Sequence, residues 1–158
     1  HLGLERVAIL DFDVHAGNGT EAVAKKEPRI QFVCSHQMPL FPGTGDPTFS
    51  GPHGNILNIA LPPGTDFTTY RGIFQDQMLP FLDVNGKPDL VIVSAGYDAL
   101  EADPLANLCL QPEDYGAMTA MLLEHLGHQK VVFGLEGGYS LTDIPKAIHS
   151  TVSAFSSH

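Results

Sequence analysis

Cysteine is scarce in this chain, with only Cys34 and Cys109 among 158 residues. Two thiols cannot make a disulfide framework, which points to a reducing compartment. Basic residues are few as well, 8 Lys and Arg against 18 Asp and Glu, for a formal net charge of −10. That balance leaves no electrostatic footprint for nucleic acid or for an anionic membrane surface, and it suits a cationic substrate. No apolar run approaches the ~18–20 residues of a membrane span, and no secretory signal opens the sequence. The expectation is a cytoplasmic protein. Internal repeats and low-complexity segments are missing too. What remains is 43% hydrophobic and 16% charged, the composition of a globular chain and not a disordered one. Its length fits one domain or part of one.

The apolar residues fall into short runs at 7–10 (VAIL), 30–34 (IQFVC), 56–61 (ILNIAL), 89–94 (DLVIVS) and 130–135 (KVVFGL). Continuous runs rich in Val and Ile suit strands covered on both faces, the pattern of a parallel sheet. Between them, 66–82 places Tyr70, Ile73, Phe74, Met78, Phe81 and Leu82 at helical spacing. Asp66 or Thr68 is its N-cap, and Pro80 should kink its end. A second helix is predicted over 112–127, with Pro112 in the first turn and Gly127 closing it. A third should cover about 143–155. This alternation predicts an α/β fold. The stretch 39–54, PLFPGTGDPTFSGPHG, is longer than a plain connection and reads as a functional loop. Only His1 to Glu5 precede the first strand. The sheet is therefore expected to be incomplete on its N-terminal side, with an apolar flank that favours homo-oligomers.

Chemistry gathers at the strand ends. In VAILDFDVH, Asp11, Asp13 and His15 occupy alternate positions, hence one side of an extended chain. VIVS runs into AGYDALEADPL with Asp98 and Asp103, and VVFGL into EGGYS with Glu136 and Tyr139. The carboxyl ends of parallel strands border the ligand crevice of α/β proteins. Asp13, His15 and Asp98 suit a three-ligand shell for a catalytic metal with an open position for water. Zinc there would lower that water's pKa to about 7 and polarise a carbonyl. Singly, the features are ordinary. An Asp after a strand caps a helix or forms a turn, Gly137-Gly138 makes a strand-to-helix turn, and Tyr139 is a half-buried aromatic. Asp-x-Asp-x-His is less easily dismissed, because its acids repel one another out of water unless a cation is present.

Two families resemble these motifs. In the haloacid-dehalogenase-like phosphatases, Asp11 would be the phosphoryl nucleophile, Asp13 the acid/base and magnesium the metal, with Ser94 and Asp143 in later motifs. His15 stands where that family has Thr or Val, and no suitable lysine follows Ser94 before Lys130. The second resemblance is closer. ILDFDVHAGNGT, SHQMPLFPGTG, SAGYDALEADPL and LEGGYS, in this order and spacing, resemble the zinc-dependent histone deacetylase and acetylpolyamine amidohydrolase superfamily, with NIALPPGTD similar to its bacterial branch. It spans essentially all of residues 1–158 and corresponds to the C-terminal portion of the family's catalytic domain.

The resemblance implies a three-layer α/β/α arginase-deacetylase-like fold with a mostly parallel sheet. It implies hydrolysis of an acetylated amine, acetyl-lysine or acetylpolyamine, to amine and acetate. Asp13, His15 and Asp98 match its zinc ligands and Tyr139 its oxyanion donor. Gly137 and Gly138 match the turn that admits the acyl group, and Phe41 a wall of the substrate channel. Asp11 matches an acid that orients a catalytic histidine and joins main-chain oxygens of Asp13, His15 and Ser35 around a monovalent cation, K+. Asn18 matches the residue that orients a second histidine. Three departures stand out. Ala16 replaces a histidine, and Cys34 replaces a serine at the cation site, a poor exchange for a hard ion. The adjacent histidine pair that moves protons belongs to the family's first half and has no counterpart here, with His36 and His53 read as loop residues. Alone, the chain is expected to be inactive. A non-catalytic metal-binding fragment is the reading from a different class.

Overall fold

The computed structural model describes residues 3–157. In chain order they form β1 (Val7–Asp11), α1 (Asn18–Ala24), β2 (Ile30–Gln37), β3 (Ile56–Leu61), α2 (Phe67–Ile73), a π turn (Phe74–Met78), α3 (Leu79–Leu82), β4 (Leu90–Ala95), α4 (Pro112–Leu126), β5 (Val131–Leu135) and α5 (Ile144–Ser156). The five strands make one sheet of order β3-β2-β1-β4-β5. Every pairing is parallel, with Leu10 opposite Val33 on one side and Val93 on the other. The chain winds outward from β1 to β3, then crosses to β4 and continues to β5. The order therefore switches between β1 and β4, and the crevice beyond their carboxyl ends is the natural ligand position.

Alternation along the strands divides the core. Leu10, Val33, Val91 and Val93 face a large cluster with Phe74, Met78, Tyr115, Met118 and Leu122 from the helices. Ile9, Phe32, Cys34 and Ile56 face the opposite side, where Ala24 of α1 covers them. The second layer is thin. Beyond α1, Val132 of β5 is 54% exposed.

Helix ends follow local chemistry. Asp66 caps α2 by accepting the Thr69 N–H at 2.9 Å. Gln111 and Asp114 form a capping box around Pro112, and Gly127 closes α4 in the left-handed region at φ 68°. Pro80 acts differently from the expected terminal kink. Lacking an N–H and crowding the turn before it, it follows a π turn in which the Leu79 N–H reaches back to the Phe74 carbonyl.

Two further elements depart from the expectations. Helix α1 was not anticipated, because NGTEAVA has no capping side chain and buries only Ala24. Such a short helix depends on tertiary packing. Strand β2 extends past Cys34 to Gln37, which places His36 in a strand and not in a loop. The polar run Ser35-His36-Gln37 hides this, yet His36 pairs with Ala60 and Gln37 with Leu61. Gly45, at φ 88°, lies so close to the His36 ring that a Cβ there would stand 2.6 Å from it. Among the described residues no helix is long and apolar enough to cross a membrane.

Candidate metal centre

Where β1 ends, two carboxylates organise the chain that follows. Asp11 Oδ1 accepts the Asp13 N–H at 3.1 Å, and Asp13 Oδ1 accepts the His15 N–H at 2.8 Å. Such side-chain-to-backbone bonds two residues on turn the chain without a helix or sheet partner. Beyond β4, Asp98 Oδ1 accepts the Val14 N–H at 2.8 Å and ties the two strand ends together. His15 Nδ1 then lies 2.9 Å from Asp13 Oδ1 and 3.1 Å from Asp98 Oδ2. The three donor groups offer ligand atoms all within 4.8 Å of one another.

Electrostatics make this arrangement costly without a cation. Asp98 is fully buried, and its Oδ2 receives no well-oriented hydrogen bond among the described residues. Burial first, then the charge of Asp13, pushes its pKa up to about 7. Asp11 is raised well above the usual carboxylate range by burial, then by Asp13 and Glu136. Two carboxylate oxygens and an imidazole nitrogen converging on one point, with a buried oxygen left over, fit a divalent ion.

Glycines admit these carboxylates. A Cβ on Gly137 would collide with Asp98 Oδ2 and stand 2.6 Å from Asp13 Oδ2, and one on Gly96 would stand 2.7 Å from Asp13 Cα. The Gly137 N–H donates to Asp13 Oδ2 at 3.0 Å, while its carbonyl accepts the Tyr97 N–H at 2.7 Å. The turn after β5 is thus fastened to a candidate ligand. Gly138 follows at φ 127°, and the N–H of Tyr139 donates to Asp103 Oδ2 at 2.9 Å.

An open cavity of about 410 Å³ collects Asp11, Asp13, His15, Asn18, Phe41 and Tyr139. The Phe41 ring stands edge-on to His15 at 6.5 Å and is 81% exposed, and Tyr139 is 52% exposed. Ser35 does not line this cavity; it is buried, and its hydroxyl shares a 2.6 Å hydrogen bond with that of Tyr70. Cys34 Sγ lies 3.8 Å from the His15 carbonyl, and burial keeps its thiol protonated. Gly17 and Gly96 bear no local mark of their closeness to Asp11 and Asp13, and Asp103, legible as an acid past a strand end, shows its tie to Tyr139 only in the fold.

The geometry disfavours the phosphatase reading. Asp11 is buried, and its Oδ1 already accepts the Asp13 N–H, which presents it poorly for attack on phosphorus. Asp143, which that reading places in a later motif, pairs with Lys146 and lines a separate depression with Gln111 and Glu113.

The sequence matches the histone deacetylase domain over residues 1–155. It is 37% identical over 158 residues to histone deacetylase 14, chloroplastic, of Arabidopsis thaliana, covering 96% of this chain and 37% of that protein. It is 38% identical over 155 residues to a histone deacetylase-like amidohydrolase of Pseudomonas aeruginosa, covering 90% of this chain and 39% of that one. Among solved structures, the HDA15 HD domain superposes with a TM-score of 0.88 at 32% identity, over 97% of this chain and 45% of that chain. The chain thus spans less than half the length of these relatives. The match leaves the phosphatase reading without support.

Proposed function

This chain belongs to the histone deacetylase family, and we propose that it forms the C-terminal portion of a zinc-dependent deacetylase domain that hydrolyses an acetylated amine to amine and acetate. The observation that carries this reading is the convergence of Asp13, His15 and Asp98 beside Tyr139 at the switch point of the sheet. Acetyl-lysine and acetylpolyamine are the substrate types it would take, and the acidic chain suits a product that leaves as a cation.

Zinc, held by Asp13, His15 and Asp98, would supply a Lewis acid for the amide carbonyl and acidify water at neutral pH. The Tyr139 phenol donates a hydrogen bond to the carbonyl oxygen as negative charge builds there. Gly137 and Gly138 leave room for the acyl group, and Phe41 flanks the alkyl stem of the substrate. Asp11 and Asn18 line the same cavity, where they orient the acid/base histidines. Those histidines come from the part of the domain outside this chain, which has no His-His pair. Expelling the amine requires a proton on its nitrogen, a step for which a positioned acid/base group contributes about 10²–10⁴-fold.

The test is metal analysis and acetate release in a catalytic domain carrying this chain. One zinc per domain is expected, lost in His15→Ala and kept in Asp103→Ala. Equal metal in both variants would remove the ligand assignment. Zinc binding without acetate release from either substrate type would make the protein a binding module.

A further inference from the structure

We infer that Asp103 is a positioning residue for Tyr139, holding its main chain so that the phenol faces the metal centre; this rests on the reading of Tyr139 as the oxyanion donor. Tyr139 is half exposed, so packing does not lock its ring. Its direction is set by the backbone, and that backbone follows two glycines, the second at φ 127°. A turn of this kind has wide conformational freedom unless something outside it holds the next residue.

Asp103 is the group that does so. It is 7% exposed and lies in the loop after β4, 36 residues from Tyr139. Its two carboxylate oxygens divide the work. Oδ1 accepts the Leu105 N–H at 2.8 Å and shapes its own turn, while Oδ2 accepts the Tyr139 N–H at 2.9 Å. The Asp103 N–H closes a turn on the Leu100 carbonyl at 2.9 Å, the Glu101 N–H donates to the Leu110 carbonyl, and the Cys109 N–H ties this connection to the Thr65 carbonyl at 2.9 Å. On the other side of the glycines, the Gly137 N–H is bonded to Asp13. The turn carrying Tyr139 is therefore clamped at both ends by carboxylates, one belonging to the candidate metal shell and one not. Asp103 lies outside the triad of ligand groups, so its loss should leave the metal in place and release only the tyrosine.

Ala at this position removes both acceptors, so the Tyr139 N–H loses its partner. In the complete catalytic domain, Asp103→Ala should lower kcat by about 10–100-fold, the penalty of a displaced catalytic group. KM and zinc content should stay close to wild type. If Asp103 acts through the phenol, Asp103→Ala in a Tyr139→Phe background should lower kcat little further. In the unaltered protein, the Tyr139 amide should exchange with solvent at least about 10-fold more slowly than its unfolded rate, as a hydrogen-bonded amide does. That measurement needs no variant to fold. Losses that multiply in the double variant, an unchanged kcat in Asp103→Ala, or a freely exchanging Tyr139 amide would each overturn the inference. If Tyr139→Phe alone leaves kcat unchanged, the oxyanion-donor reading is at fault, an outcome separate from an Asp103 failure beside an impaired Tyr139→Phe.

Discussion

Gly137 is as tightly constrained as the acids it touches, because the Asp13 and Asp98 carboxylates occupy the space a side chain would need. Adding one methyl group must push one carboxylate aside or move the turn, a kind of overpacking that costs about 1–3 kcal/mol. Gly137→Ala should therefore weaken zinc binding by about 10–100-fold, the range for disturbing groups that orient metal ligands. A chelator competition titration would measure this, and unchanged affinity would mean that the site has slack the structure does not show. Tyr139 should separate metal binding from rate. A phenol aimed at a developing oxyanion contributes about 10²–10³ in kcat, so Tyr139→Phe should lose that much while keeping its zinc. A variant with more than half of wild-type kcat would reduce Tyr139 to a surface aromatic.

At the scale of elements, β2 carries a buried titratable group outside the metal centre. His36 is 1% exposed in its strand, and burial lowers its pKa, opposed by the Glu21 charge and the Gly45 backbone. Cys34 Sγ, 3.9 Å from its Nδ1, stays protonated and adds no charge. The unfolded chain, with an ordinary histidine near pKa ~6.5, therefore binds this proton more strongly than the folded protein does. Stability from this group is present above that value and is lost as pH falls through it toward the lower folded pKa. Urea midpoints should drop between about pH 7.5 and 5.5, and His36→Gln should drop less. Parallel curves for the two proteins would show that His36 does not contribute. The same strand shows why boundaries were hard to read. The polarity of Ser35, His36 and Gln37 resembles a loop, yet all three pair with β3, and Ser35 meets Tyr70, His36 meets Gly45 and Gln37 accepts the Asn107 N–H. By contrast, α4 and its limits were legible, since Pro112, the apolar stripe and Gly127 act within the helix itself.

Across the whole molecule, the β5 edge of the sheet is poorly covered. β5 pairs only with β4 among the described strands, and Leu135 is 67% exposed. Beside it, Tyr97, Phe133 and Phe155 line a groove against α5. Open strand edges and contiguous apolar surface favour association even in a chain of net charge −10. Residues 1–158 produced alone should elute as oligomers or aggregates, bind zinc weakly and release negligible acetate. Adding the upstream part of the domain should give a monodisperse, active protein. Light scattering coupled to size exclusion, with an acetate assay on the same fractions, checks both. An active 158-residue monomer would mean that proton transfer needs no histidine pair.

The strands, the three long helical regions and the placing of Asp13, His15 and Asp98 just past strand ends could be read along the chain because their signals are local. Apolar runs, caps, and acids placed just after strands need only a few neighbouring residues. The clamp on Tyr139, the bond from Val14 to Asp98 and the bond from Gly137 to Asp13 join residues 36, 84 and 124 positions apart. No pattern in a short window encodes them. They exist because the order β3-β2-β1-β4-β5 brings the carboxyl ends of β1, β4 and β5 side by side. The same holds for α1, a segment with little helical character of its own that is kept in place by the strand face it covers.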